Sequence, residues 1–246
     1  MYDSYDSLQE VAIVTSAGGA IAAQIAVFLA NKGMTVVGLT QQPEVVEALN
    51  EQIEGHGKIV PRVCDVTSEE SLMVTFNYIR NIFPQVTVFV CNSDIMSVNF
   101  LSESSGAEIQ ELFDVNVIST SYFIRESLAL IRAKKTRGHI FVMNSVLGHH
   151  IPSAPVPLYN VYPATKFAMK ALCEATRREI KHLKLNVKLT SISPGMVDKE
   201  LFSVYNGAIA VLPMLKASDI AKAIIFALDT PDYVQVEEII LQAMKY

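Results

Sequence analysis

Val11-Ala-Ile-Val14-Thr15-Ser16-Ala17-Gly18-Gly19-Ala20-Ile21-Ala22 is the stretch on which the fold turns. Its first four residues are apolar and partly β-branched, while Ile21, Ile25, Phe28 and Leu29 recur at helical spacing, so it predicts strand, tight turn and helix. From residue 11 to 31 no side chain is charged, and 21 such positions are enough to cross a bilayer. Thr15, Ser16, Gly18, Gly19 and Gln24 interrupt that run. The change of period favours a strand and helix joined by a turn over a membrane span.

The same alternation continues outward. Residues 34–39 are a short apolar run, and Pro43 with Glu44 suits the first turn of a helix carrying Val45, Val46, Leu49 and Ile53. Residues 59–63 predict a third strand, and Thr67-Ser68-Glu69-Glu70 predicts a capping box opening a helix that Pro84 stops. Further strands are expected at 86–91, 139–143, 187–192 and 236–241, and further helices at 109–131, 161–183 and 218–228. Strands that are apolar throughout, separated by helices of ten or more residues, imply an α/β fold: a doubly wound parallel sheet of about seven strands with helices on both faces. No Gly, Pro or Ser-rich linker and no repeat of 20 to 50 residues divides the chain, so 1–246 is expected to be a single domain. In such sheets ligands bind beyond the carboxyl ends of the strands where strand order reverses, which directs attention to the turn at Thr15.

Composition narrows the function classes. Half of the 246 residues are hydrophobic and 18% are charged, which suits a large core and excludes disorder. Lys and Arg number 20 against 25 Asp and Glu, with no basic block, so nucleic acid is not an expected partner. Cys64, Cys91 and Cys173 are odd in number and far apart, which fits a reducing, cytoplasmic setting. Residues 1–10 lack the pattern of a signal peptide. The pair His149-His150 has no third ligand near it in sequence, so no metal site is expected. The helices at 109–131 and 161–183 are apolar on more than one side, which suits a homo-dimer or tetramer.

Two features carry chemistry. The turn from Thr15 to Ala22 opens a helix whose first N–H groups can hold a phosphate, although a Gly-Gly bend joins strand to helix equally well with no ligand. Tyr162 and Lys166 stand four apart at the start of a helix, on one face. An ammonium beside a phenol favours the phenolate, so Tyr162 can act as acid or base; an exposed i, i+4 pair has the same spacing.

Together with His139-Ile-Phe-Val-Met-Asn-Ser145-Val-Leu-Gly148-His149 and Tyr159-Asn-Val-Tyr162-Pro-Ala-Thr-Lys166-Phe-Ala, these features give a sequence that resembles the short-chain dehydrogenase/reductase family, and within it the insect farnesol-dehydrogenase-like, NADP-dependent branch. The resemblance runs from about residue 9 to 241 and implies a Rossmann-like fold with an oxidoreductase activity. It implies that Tyr162 exchanges a proton with the substrate oxygen, Ser145 hydrogen-bonds that oxygen, Lys166 sharpens the phenol and holds the nicotinamide ribose, and Asn116 anchors a relaying water. It further implies an NADP site, or an NAD site, lined by Thr15, Ser16, Gly18, Gly19, Ala20 and Ile21 at the pyrophosphate. Thr40, Gln41 and Gln42 fall at the 2′-position, Asp65 and Val66 at the adenine, and Asn92, Pro194, Gly195 and Val197 beside the nicotinamide. Residues 196–216 fall where a substrate lid is expected; the apolar run with Phe202, Ile209, Val211 and Leu212 suits an isoprenoid or other lipid-like alcohol, and equally a core cap or subunit contact.

The sequence departs from that pattern at the cofactor. The three glycines of T-G-x-x-x-G-x-G fall on Ser16, Ala20 and Ala22, the N-A-G triplet reads Asn92-Ser93-Asp94, no basic residue follows Thr40, and Lys199 stands where threonine is expected. Losing a charge-assisted contact costs roughly 1.5 to 3 kcal/mol, and a Cβ at positive φ about 1 to 2 more. Their sum, about 3 to 6 kcal/mol, weakens NADP binding by about 10² to 10⁴. Two functions therefore stand at this level: an oxidoreductase of apolar alcohols or carbonyl compounds, and a catalytically silent relative serving as a binding or dimer-partner protein.

Overall fold

The computed structural model describes residues 10–152, 159–197 and 214–244. Its elements in chain order are β1 (Val11–Val14), α1 (Ala20–Asn31), β2 (Thr35–Thr40), α2 (Pro43–Glu47), β3 (Lys58–Val63), α3 (Glu69–Ile82), β4 (Val86–Cys91), α4 (Gly106–Phe113), α5 (Ser119–Lys134), β5 (Gly138–Met143), α6 (Tyr162–His182), β6 (Val187–Pro194), α7 (Ala217–Leu228) and β7 (Glu238–Leu241). The seven strands form one sheet in the order β3-β2-β1-β4-β5-β6-β7, every pairing parallel. Strand order reverses between β1 and β4, so the carboxyl ends of those two strands flank a crevice.

Alternation along each strand supplies both faces. Ala12, Val14, Val36, Val88 and Val90 point toward α1 and α7, packing with Ile25, Leu29, Ile220 and Ile224. Ile13, Val37, Phe89 and Cys91 point the other way, against Leu72 and Phe76 of α3, Phe123 of α5 and Met169 of α6. Phe76 and Phe123 meet edge to face at 5.6 Å, an arrangement worth about 0.5 to 1.5 kcal/mol beyond burial. Gly38 is required where it stands: a Cβ there would lie 2.7 Å from Val46 and 2.9 Å from Ala17, so its absence lets α2 and the turn after β1 close on the sheet.

Several local expectations differ from the structure. The helix expected at 109–131 begins at Gly106 under a capping box of Ser105 and Glu108 and is interrupted by a π-turn, Asp114–Ile118, before α5. The helix expected after Pro43 is five residues long and passes into a 3₁₀ turn, Ala48–Gln52. The capping box at Thr67 does not form: Ser68 caps α3 by accepting from the Ser71 N–H, while Thr67 closes on Asp65. Strand β6 runs on to Pro194, two residues further than expected. Among the described residues no helix is long and apolar enough to cross a membrane.

Candidate active site

Thr15 ends β1 and is 1% exposed; its hydroxyl accepts from the N–H groups of Asn92 and Ser93 at 2.9 and 3.1 Å and from the Ser93 hydroxyl at 2.9 Å, tying the tips of β1 and β4 together. Ser16 next to it adopts φ +52, the left-handed region that costs a side chain about 1 kcal/mol, and shares a hydrogen bond with Ser93 Oγ at 2.9 Å. Gly18 and Gly19 do not take over that conformation: the one positive-φ glycine among the described residues is Gly33, and Gly19 sits at φ −77 as the N-cap of α1. No side chain caps α1, whose start, with Ser16, Gly19 and Ile21, lines the crevice. Ala20 follows Gly19 as the first residue of that helix.

The residues expected at the adenine end have modest roles. Thr40 turns its hydroxyl back to the Gln42 N–H at 2.9 Å, and Gln41 and Gln42 are exposed. Asp65 Oδ1 accepts from both the N–H and the hydroxyl of Thr67 at 2.9 and 2.7 Å, closing a turn ahead of α3, with Val66 packed on the core beside it.

The other end is tightly built. Tyr162 opens α6 and is 6% exposed; Lys166, one turn on, is 1% exposed, and its ammonium lies 5.2 Å from the Tyr162 ring centre. The two share a face as expected, in the interior rather than on the surface. Asp94 joins them: its Oδ2 accepts from the Tyr162 hydroxyl at 2.8 Å and its Oδ1 lies 2.9 Å from the Lys166 ammonium. Lys166 also reaches the Met143 carbonyl at 3.5 Å. A buried ammonium requires a partner of this kind, since leaving it unpaired costs several kcal/mol.

Asn116 lies in the π-turn and is 1% exposed. Its Oδ1 accepts from the Ile95 N–H at 2.9 Å, and its Nδ2 donates to the Ile95 carbonyl at 2.9 Å and to Thr165 Oγ1 at 3.2 Å. Both ends of the amide are thus committed to the protein, joining the loop that carries Asp94 to the first turn of α6. Ser145 follows β5; its hydroxyl accepts from the Leu147 N–H at 3.2 Å and starts the 3₁₀ turn Val146–Gly148. That turn lies flat on α6 because Gly148 has no Cβ, which would fall 2.7 Å from the Lys166 carbonyl. Pro194 closes β6, the Gly195 N–H donates to the Leu241 carbonyl at 2.7 Å, and Val197 pairs with Leu215. Of the expected lid, 198–213 lies outside the described residues.

Asn144 gave no signal in the sequence. It is 3% exposed, lines the crevice beside Ser145, and neither Oδ1 nor Nδ2 has a partner among the described residues. The crevice itself holds about 330 Å³. Asn92, Asp94, Ser145, Tyr162, Pro194 and Val197 line it, so the structure brings the β1 turn and the expected reacting side chains onto one cavity. Thr40, Gln41, Gln42, Asp65 and Val66 are not among its walls.

Neighbouring groups offer no competing chemistry. Burial pushes the Cys91 thiol up to about 11 and the Cys173 thiol up to about 12, so neither is a thiolate nucleophile. His149 brings one nitrogen, Nε2, to both Ser193 Oγ at 3.0 Å and Glu238 Oε1 at 2.9 Å, so serine and acid do not occupy opposite nitrogens as a nucleophile relay needs.

Comparison with known proteins agrees with this geometry. The chain matches the family described as short chain dehydrogenase over residues 10–210. It is 35% identical over 240 residues to a farnesol dehydrogenase of Aedes aegypti, covering 95% of each chain. It is 31% identical over 241 residues to dehydrogenase/reductase SDR family member 11 of Bos taurus, covering 93% of this chain and 94% of that one. Its fold is similar to that of an alcohol dehydrogenase from the archaeon Thermococcus sibiricus complexed with 5-hydroxy-NADP, with a TM-score of 0.82 at 24% identity over 97% of this chain and 100% of that one. The chain belongs to the short chain dehydrogenase family and is an oxidoreductase acting on CH–OH groups.

Proposed function

We propose that this protein interconverts an apolar, lipid-like alcohol and its carbonyl compound with NADP(H), or NAD(H), as the redox partner. The observation that carries the reading is the convergence of Tyr162, Lys166 and Ser145 on one crevice at the strand-order reversal. When bound, the nicotinamide supplies or accepts hydride. The protein's own residues do the rest: Ser145 Oγ donates a hydrogen bond to the substrate oxygen, Tyr162 Oη exchanges a proton with it, and Lys166 stabilises charge at the phenol.

The residues present fit such a cofactor over much of its length. The uncapped start of α1 suits a pyrophosphate, Asp65 Oδ2 is not used in the Thr67 turn, and the unpartnered Asn144 amide at the crevice wall is a polar group for a ligand to satisfy. No cation follows Thr40, so nothing there favours a 2′-phosphate over a ribose hydroxyl. Met96, Val146, Leu147, Met196 and Val197 make the substrate side apolar, which favours an isoprenoid-like alcohol, as does the likeness to the Aedes aegypti farnesol dehydrogenase. The three unpaired, buried cysteines favour the cytoplasm. Exposed Ile118 and Phe167, on the π-turn and α6, favour a homo-dimer or tetramer.

The second reading, a catalytically silent relative, is favoured by one specific observation: Asp94 engages both Tyr162 and Lys166. Turnover separates the two. With farnesol or a similar long-chain alcohol and either cofactor, Tyr162→Phe is expected to lower kcat/KM by about 10² to 10⁴ with a stability change under about 1.5 kcal/mol. Turnover that survives this substitution unchanged contradicts the mechanism.

A further inference from the structure

We infer that Asp94 is an internal occupant of the position where the nicotinamide ribose meets Tyr162 and Lys166, and that it sets cofactor affinity by having to leave. The inference rests on the oxidoreductase reading above and adds a residue-level control to that site.

The bridge is specific in its geometry. One carboxylate spans the phenol and the ammonium with separate oxygens, at 2.8 and 2.9 Å, and Lys166 meets no other carboxylate among the described residues. Those are the two groups proposed to hold and use the cofactor. Its backbone is pinned on both sides. Ser93 is bound to Thr15 through its N–H and hydroxyl, and Ile95 is bound to Asn116 through its N–H and carbonyl. Asp94 therefore leaves by side-chain rotation and not by movement of the loop. Its side chain is 31% exposed, so water is available to receive the carboxylate once it turns.

The chemistry follows from charge. A carboxylate is a stronger partner for a buried ammonium than the neutral hydroxyls of a ribose, because hydrogen bonds between ionised groups are roughly twice as strong. With its proton donated to Asp94, the Tyr162 hydroxyl is turned away from any substrate oxygen. A phenolate at Tyr162 would face the carboxylate as a like charge. The latched arrangement is thus both closed to the ribose and unready for proton exchange, and releasing Asp94 removes both obstacles at once.

Dissociation constants for NADPH and NADH, measured by nicotinamide fluorescence on the wild type, Asp94→Gly and the near-isosteric Asp94→Asn, test this. Asp94→Gly is expected to tighten binding by about tenfold to a hundredfold, and Asp94→Asn by less, because the amide keeps the volume but not the charge. In the absence of cofactor, Asp94→Gly is expected to lower the melting temperature, because Lys166 loses its counter-charge, and saturating cofactor is expected to restore more of it than in the wild type. Binding that is present in the wild type and unchanged or weaker in both variants overturns the inference and leaves the oxidoreductase reading standing. No binding to any of the three proteins at millimolar concentration overturns both.

Discussion

The two ends of the crevice are built on different terms. At the α6 end Tyr162, Lys166 and Asn116 are 6%, 1% and 1% exposed, and each hydrogen-bonds or ion-pairs with a residue of the loop after β4. At the β1 and β2 end Gln41 and Gln42 are exposed, Thr40 satisfies its own turn, and Ser16 holds a left-handed backbone conformation that glycine adopts without cost. The contrast changes how the sequence is weighed. Asn116 and Lys166 are tied into the packing of α6 on the loop after β4, so their presence follows from structure as much as from catalysis. The phosphate turn and the residues after β2 carry no such double duty, and it is there that the family pattern has given way.

Three substitutions sharpen that comparison. The largest effect is expected at the tight end: Lys166→Ala should cost about 2 to 4 kcal/mol in chemical denaturation, from the cavity and the broken pair with Asp94. A loss below about 0.5 kcal/mol would show that Lys166 is not structural and restore the catalytic explanation for its presence. A smaller effect is expected at the loose end, where Gln42→Arg should tighten NADPH by roughly tenfold to a hundredfold and leave NADH nearly unchanged, through a new contact to the 2′-phosphate. Equal gains for both cofactors would mean that position 42 does not read that phosphate. The smallest is Ser16→Gly, which should add about 1 kcal/mol of stability by relieving the left-handed serine, less the lost bond to Ser93 and the greater freedom of the unfolded chain. A destabilised Ser16→Gly would show that the Ser93 bond outweighs the backbone term.

Most of the architecture was legible because its strands are buried on both faces. Val86–Cys91 and Gly138–Met143 are apolar almost throughout, which only a covered parallel strand sustains. The Tyr162–Lys166 pair was legible from spacing. The π-turn at Asp114–Ile118 was not, because helical periodicity runs through it and the side chain that marks it, Asn116, is held by Ile95 and Thr165 from distant parts of the chain. The cap of α3 was misplaced by one residue because Asp65 captured Thr67, a local competition that the T-x-x-E spacing does not reveal. Asp94 was legible as an intruder beside the cofactor path, but its pairing with two side chains 68 and 72 positions away was set by the fold. Asn144 stayed hidden because an asparagine after an apolar strand has many ordinary uses, and only its unpartnered burial singles it out.

The account stands on a nicotinamide cofactor entering the crevice between the β1 turn and α6. Its most direct test is a titration of the purified wild-type protein with NADPH and NADH, followed by nicotinamide fluorescence and by melting temperature. Saturable binding of at least one, with a dissociation constant between about 10⁻⁴ and 10⁻² M and a rising melting temperature, is the predicted result. Neither signal responding to either cofactor at millimolar concentration would contradict it.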